Sequence, residues 1–381
     1  ATHQAISAVW RIESAKIVAT VARMVRDIGL AEELAQDALV SALEHWPRDG
    51  VPANPAAWLV TAAKRKALDL LRHLKMQGEK LEELGHDLEA QEALIVPDFV
   101  DALGEAMQDD IGDDLLRLIF TACHPLLSTD ARVALTLRLL GGLGTDEIAR
   151  ACFVPEPTIA QRIVRAKKTL AQAKVPFELP PGDDLADRLG AVLEVIYLVF
   201  NEGYTASSGS DWMRPALADE ALRLGRVLAR LAPDEPEVQG LVALMEIQSS
   251  RTAARTDAQG RPVLLDEQDR SRWDTLLIRR GLEALACGER LAGARRGPYL
   301  LQAALAACHA RAPTAAATDW PRIVSLYDEL LALSPSPVVA LNRAVALGRA
   351  AGPDAGLQAV EALRGDRLLA GYPWLPGVRA D

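Results

Sequence analysis

The sequence predicts an all-α protein with two small helical domains, the second a helix-turn-helix, joined by an acidic linker and followed by a larger α-helical repeat domain. Alanine, leucine and arginine dominate the composition, and aromatic residues make up only 4% of it. No sustained alternation of β-branched residues appears, so strands are not expected. At 381 residues the chain is long enough for two or three domains. We place them at residues 1–78, 111–176 and 185–381, with the linker at 79–110.

Two short helical patterns meet at a tight turn between Leu143 and Leu170. Thr145 is predicted as the N-cap of the first helix, followed by two acids that favour the positive end of the helix dipole. The turn is placed at residues 153–155, which are Phe, Val and Pro. The second helix is predicted from Glu156 to Ala173. This order of elements predicts a helix-turn-helix.

The second helix has one apolar face and one polar face. Four residues at helical spacing are predicted to pack inward: Ile159, Ile163, Ala166 and Leu170. The outer stripe then carries Thr158, Gln161, Arg162, Arg165 and Lys168. Guanidinium and amide groups fit base edges in the major groove. These features favour a DNA-reading helix, whereas charge alone is equally typical of a solvated surface helix.

The segment LGTDEIARACFVPEPTIAQRIVRAKKTL resembles the promoter-reading segment of the extracytoplasmic-function sigma factors of bacterial RNA polymerase. The positions that match are Leu143, Glu147, Ile148, Ala149, Val154, Pro155, Thr158, Arg162, Arg165, Ala166 and Leu170. Phe153 and Pro157 stand where the family usually has glycine. The resemblance implies that core RNA polymerase and promoter DNA are the partners. From the chemistry of their side chains, Arg162, Arg165, Lys167 and Lys168 are expected to supply phosphate affinity and some base contact, and Thr158 and Gln161 sequence discrimination.

Two upstream segments extend the resemblance. Residues 31–43, AEELAQDALVSAL, are similar to the family's polymerase-docking helix. The positions carried over are Glu32, Glu33, Gln36 and Asp37. An ordinary amphipathic helix, with Leu34, Ala38 and Leu39 inward and the acids outward, explains the same periodicity.

Residues 55–72, PAAWLVTAAKRKALDLLR, resemble the family's promoter-melting segment. The implied site residues are Trp58, Lys64, Arg65, Lys66, Asp69 and Arg72. Strand separation needs cations for the single-stranded backbone and an aromatic surface for an unstacked base. Trp58 could meet DNA or pack in the core, and the apolar residues that follow it favour the core. Arg65 stands where the family commonly has asparagine.

The net charge of −10 is concentrated in one segment. Residues 79–114 are rich in acids and contain Lys80 as their only Lys or Arg. An acidic linker between two DNA-reading modules and a plain solvated loop explain this equally well.

The second half begins after the Pro-rich break at residues 175–184. Residues 224–236 and 326–337 each form a predicted helix that ends at closely spaced prolines, and an Asp-Trp pair precedes each helix, at 211–212 and 319–320. Such units resemble tetratricopeptide repeats, and an irregular helical bundle is the alternative. We hypothesise that this half contacts the sigma domains and controls them, and that the repeats bind a further protein partner.

No catalytic, metal or cofactor site is predicted. The cysteines Cys123, Cys152, Cys287 and Cys308 are isolated, and the Cys-His pairs at 123–124 and 308–309 lack the spacing of a zinc site. The 201–204 segment, Asn-Glu-Gly-Tyr, could line a pocket, but a helix closed by Gly203 is favoured.

No membrane span or signal peptide is recognised, so a cytoplasmic location is expected. The alternative function is a helix-turn-helix regulator that binds duplex DNA alone through a dimer, with the repeats as its sensor.

Overall fold

The computed structural model describes residues 2–76, 106–152, 154–180, 182–204, 213, 215–259 and 261–363. Regular structure within these ranges is helical, apart from one isolated bridge between Thr256 and Pro262. The predicted all-α class is therefore confirmed. The α-helices are α1 (Thr2–Val25), α2 (Ile28–Asp49), α3 (Pro55–Met76), α4 (Ala106–Ala122), α5 (Thr129–Leu139), α6 (Thr145–Cys152), α7 (Glu156–Gln172), α8 (Gly182–Tyr204), α9 (Pro215–Leu231), α10 (Pro236–Ser249), α11 (Thr275–Ala292), α12 (Pro298–Arg311), α13 (Trp320–Leu333), α14 (Pro337–Ala351) and α15 (Pro353–Ala362). Packing divides the chain into two compact units, Ala1–Leu224 and Gly225–Asp381.

Helices α1, α2 and α3 pack against one another as a three-helix bundle. The face that α2 contributes is largely made of alanines, because Ala31, Ala35, Ala38 and Ala42 are all buried. Small side chains at helical spacing let the backbones approach closely. The side chain of Asp27 caps α2 by accepting the Leu30 N–H at 2.9 Å.

Helices α6 and α7 form the predicted helix-turn-helix, and α7 packs on both α6 and α5. Thr145 is the first residue of α6, and the Gly144 N–H before it is satisfied by Glu147 Oε2 at 2.7 Å. The turn residue Phe153 lies outside the described residues. The proposed linker residues 79–105 also lie outside them, and α4 begins at Ala106, within the last part of the predicted linker.

Helix α8 belongs to the first unit, although the sequence places it at the start of the C-terminal domain. It packs on α4 and α5. Arg188 Nη2 donates to the Phe120 carbonyl at 2.9 Å, and Arg132 pairs with Glu194 at 3.4 Å. The packing boundary therefore falls later than the predicted domain start at residue 185, because the apolar face of α8 is buried within the first unit.

The second unit contains α10 to α15, in which helices close in sequence pack as neighbours. Gly240 on α10 lies against the backbone of Leu300 on α12, where an added Cβ would be 2.7 Å from the Leu300 nitrogen. Glu237 caps α12 by accepting the Tyr299 N–H at 2.7 Å. Asp319 caps α13 through the Arg322 N–H, whereas the pair at 211–212 lies outside the described residues. The tetratricopeptide resemblance of these helices remains a prediction.

Among the described helices, none combines the length and apolarity that crossing a membrane requires.

Candidate nucleic-acid interface

The inward face of α7 is buried as the sequence predicts. The four buried residues of this helix are Ile159, Ile163, Ala166 and Leu170. They recur at helical spacing, so they lie along one side of the helix and pack toward α5 and α6. The opposite side of α7 is thereby turned to solvent.

Four of the predicted DNA-reading residues form an exposed stripe on that side. They are Thr158, Gln161, Arg165 and Lys168, and we call them the reading stripe. Each is three or four residues from the next, which places all four on one face. Within the part of the chain that the structure describes, Arg165 and Lys168 form no ion pair. Both cations can therefore meet a phosphate or a base edge without first leaving another partner.

The other two predicted cations of α7 are engaged elsewhere. Arg162 is half-buried and its Nη2 lies 2.8 Å from Asp130 Oδ2 on α5. Lys167 is also half-buried, and its Nζ pairs with Glu32 Oε2 on α2. The structure thus separates the six residues predicted for upstream DNA contact into four exposed and two paired.

The predicted polymerase-docking residues on α2 divide in a similar way. Glu33 and Asp37 are exposed and Gln36 is half-buried. Glu32, expected to point outward, is only 4% exposed. Its Oε1 accepts from Arg138 Nε and from Gln36 Nε2, each at 2.6 Å. Glu32 turns inward because two cations from the helix-turn-helix domain compensate its buried charge.

The predicted melting residues lie along α3. Arg65, Asp69 and Arg72 are exposed, with an ion pair of 3.5 Å between the last two, while Lys64 and Lys66 are half-buried. Trp58 is half-buried, and its ring meets that of Trp46 edge-on at 5.4 Å between centroids. Trp58 therefore contacts the core with part of its ring and keeps part accessible. Cations and an aromatic surface consequently share one helix, as single-stranded DNA requires.

Sequence reasoning missed Arg138 and Asp130, which hold Glu32 and Arg162. Arg138 lies far from Glu32 along the chain, so helical periodicity carries no signal for their pairing. A count of charges on each helix would find both residues without saying which partner each selects.

Of the two Cys-His pairs, Cys123 is buried, whereas His124, Cys308 and His309 are half-buried. Burial raises the pKa of the Cys123 thiol to about 11, and its Sγ lies 3.4 Å from Thr136 Oγ1. Burial, followed by the charges of Arg251 and Arg270, lowers the pKa of His309 to about 4. Across the described ranges, no group of three or more His, Cys, Asp or Glu residues is arranged to hold a metal ion.

Family models match three parts of the chain. Sigma-70 region 2 matches residues 12–76, and sigma-70 region 4 matches residues 117–170. A family of unknown function, DUF6596, matches residues 188–288. The first match covers α2 and α3, and the second covers the helix-turn-helix.

Several proteins are similar to this chain over different lengths. An uncharacterized protein of Rhizobium meliloti (strain 1021) is 46% identical over 94% of this chain and 82% of its own length. A probable ECF RNA polymerase sigma factor, SigI of Mycobacterium tuberculosis, is 26% identical over 47% of this chain and 59% of its own. A probable RNA polymerase sigma-C factor of Mycobacterium bovis is 27% identical over 40% of this chain and 75% of its own.

No solved structure matches the chain. The two sigma-70 regions occur in the order, and on the helices, that the sequence resemblance requires. The sigma-factor relatives align with less than half of this chain, and the match to DUF6596 falls entirely beyond the two sigma-70 regions. The chain therefore belongs to the extracytoplasmic-function sigma factors of RNA polymerase and carries a C-terminal extension that includes the DUF6596 segment.

Proposed function

We propose that this alternative sigma factor docks on core RNA polymerase through α2, helps to open the promoter through α3 and reads the upstream promoter element through α7. The observation that carries the proposal is the exposed reading stripe above a buried apolar face on α7. Sigma factors are transcription initiation factors and not enzymes, so the proposal requires no catalytic group. The protein would act in the cytoplasm, where it meets polymerase and DNA.

The division of labour follows from the chemistry of each group. Arg165 can pair bidentately with guanine, and Gln161 with adenine, whereas Lys168 suits a phosphate as a point charge. On α3, Arg65 and the partly exposed ring of Trp58 suit a separated strand. On α2, the exposed carboxylates of Glu33 and Asp37 suit a basic surface of the polymerase.

The docking role predicts a measurable loss of polymerase affinity. Glu33→Ala combined with Asp37→Ala is expected to weaken binding of the full chain to core polymerase by about tenfold, because two charges leave the interface. Affinity would be measured by fluorescence anisotropy of a labelled chain titrated with core polymerase.

Asp49→Ala is the matched control, since Asp49 is an exposed acid at the far end of the same helix. Equal affinities for the wild-type chain, the double variant and the control would contradict the assignment of this face of α2 to docking.

We also propose that the extension controls the sigma domains through α8. Support comes from the packing of α8 on α4 and α5, where Arg188 and Glu194 contact residues of the region 4 match. Arg188→Ala removes the hydrogen bond of α8 to the Phe120 carbonyl and would then change transcript yield at equal protein concentration. An unchanged yield would contradict control through α8.

That the repeats bind a further protein partner stays a hypothesis. If purified full-length protein retained nothing beyond polymerase subunits from a lysate, the hypothesis would fail.

A further inference from the structure

We infer that the free chain holds its polymerase-docking helix α2 against its promoter-reading helix α7, and that this contact has to open before polymerase can use the Glu32 side of α2. The inference rests on the proposed function and adds a regulation to it. Both helices lie within the first compact unit.

The centre of the contact is one buried carboxylate. Glu32 on α2 is 4% exposed, and both of its oxygens face cations of the helix-turn-helix domain. Arg138 Nε on α5 lies 2.6 Å from Oε1, and Lys167 Nζ on α7 pairs with Oε2. A carboxylate withdrawn from water needs such partners, because its desolvation is otherwise uncompensated. Glu32 is therefore held where it lies by the domain that reads DNA.

The side-chain stem of Lys167 lies against the first turn of α2. Gly29 has no side chain, and a Cβ built there would lie 3.6 Å from Cδ and 3.9 Å from Cβ of Lys167. The lysine stem thus passes directly over the first turn of α2 before its ammonium group reaches Glu32. Helices α2 and α7 approach each other closely at this point.

A second buried carboxylate joins the same two regions of the first unit. Asp114 on α4 is 1% exposed, and its Oδ2 lies 3.2 Å from Arg23 Nε on α1. Gly142, between α5 and α6, adopts a φ of +64° beside α1, and a Cβ there would lie 2.6 Å from Ser14 Oγ. The contact between α2 and α7 is accordingly one part of a wider fitted surface.

The contact engages one residue from each of the two functional surfaces. Glu33, Asp37 and the reading stripe stay exposed. Glu32 and Lys167 form an ion pair with each other, so neither is available to polymerase or DNA. The closed arrangement therefore withdraws one predicted docking residue and one predicted DNA-contact residue. Polymerase must bind the open form more tightly than the closed form. Its apparent affinity is then the affinity for the open form multiplied by the fraction of the chain that is open.

A reversible disulfide tests the inference in the full chain. Gly29→Cys with Lys167→Cys places two Cβ atoms about 3.9 Å apart, within the range of native disulfides. We expect the pair to oxidise readily and the oxidised protein to bind core polymerase at least about tenfold more weakly than the same protein after reduction. Failure of the disulfide to form, or equal affinity of the oxidised and reduced forms, would overturn the inference.

The two single-cysteine variants control for the native thiols, of which Cys152, Cys287 and Cys308 are only half-buried. Peptide mapping establishes that the bond joins positions 29 and 167. Arg138→Met gives a second measurement. It removes a cation of the contact without substituting a residue assigned to polymerase or DNA, and it should raise polymerase affinity. An unchanged affinity would count against the inference. If the reduced and wild-type proteins also fail to bind polymerase, the proposed function fails, while disulfide formation still reports on the contact itself.

Discussion

Replacing Arg165 by alanine is expected to lower transcription from a cognate promoter by about tenfold or more. Its guanidinium is exposed in the middle of the reading stripe, between Gln161 and Lys168. Loss of one bidentate contact to a base costs about 1–3 kcal/mol, and about 1.4 kcal/mol corresponds to a factor of ten. Transcript yield with core polymerase on a wild-type promoter and on one altered in its upstream element measures the effect. The variant should discriminate less between the two promoters.

The contrast with Lys168→Ala distinguishes base reading from phosphate binding. A lysine on a phosphate contributes equally to all sequences, so this variant should weaken binding uniformly and reduce the salt dependence by about one released counterion. Lys174→Asn is the matched control, because Lys174 is an exposed cation just beyond α7 whose φ of +47° asparagine tolerates. Arg165→Ala and Lys174→Asn proteins with the same yield and the same discrimination would contradict the role of the stripe.

Gly203→Ala is expected to destabilise the packing of α8 on α9 by about 2–3 kcal/mol, as overpacking at a rigid contact does. A Cβ at Gly203 would lie 2.3 Å from the nitrogen and 2.9 Å from the Cα of Ala218. Both atoms belong to the backbone of α9, so relief requires a shift of the helix. Hydrogen exchange of peptides from residues 185–224, read by mass spectrometry, should become about 30-fold faster or more.

Gly190→Ala in the same helix provides the opposite control. Gly190 is exposed, and nothing lies within 4 Å of an added Cβ. Alanine is favoured over glycine in a helix interior by about 0.5–1 kcal/mol, so this variant should slow exchange. Similar exchange rates in the two variants would show that α9 does not approach Gly203 as closely as the structure has it.

Gly203 shows where local sequence signals become ambiguous. A glycine near the end of an apolar helix is typical of a C-terminal cap, and that is the interpretation the sequence favours. In the structure Gly203 lies within the last turn of α8 and gives α9 room to approach. Glycine serves both as a helix cap and as a site where a second helix approaches closely. Ala218, the contact that distinguishes the two roles here, is not adjacent to Gly203 in sequence.

Helix α7 shows the opposite case. Its predicted range of 156–173 differs from the observed Glu156–Gln172 by one residue, and its four inward residues are those predicted. Helical periodicity is a local property, so one segment contains all the information needed. The pairing of Lys167 with Glu32 depends on how two distant helices dock, and no spacing within either helix encodes it.

The domain boundary at α8, like the pairing of Lys167 with Glu32, depends on contacts between helices that are not adjacent in sequence. The Pro-rich break after α7 marks an interruption of helix, and α8 does begin there. Whether α8 then packs with the helices before it or after it depends on which apolar faces match. The structure places it with α4 and α5, in the first unit.

The most direct test of the sigma assignment is transcription by purified core RNA polymerase and the full-length chain on the DNA upstream of its own gene. We expect discrete transcripts from a defined start that appear only when both components are present. Absence of such transcripts, together with tight and specific binding of the chain alone to duplex DNA, would contradict the account and favour a regulator that acts without being part of the polymerase.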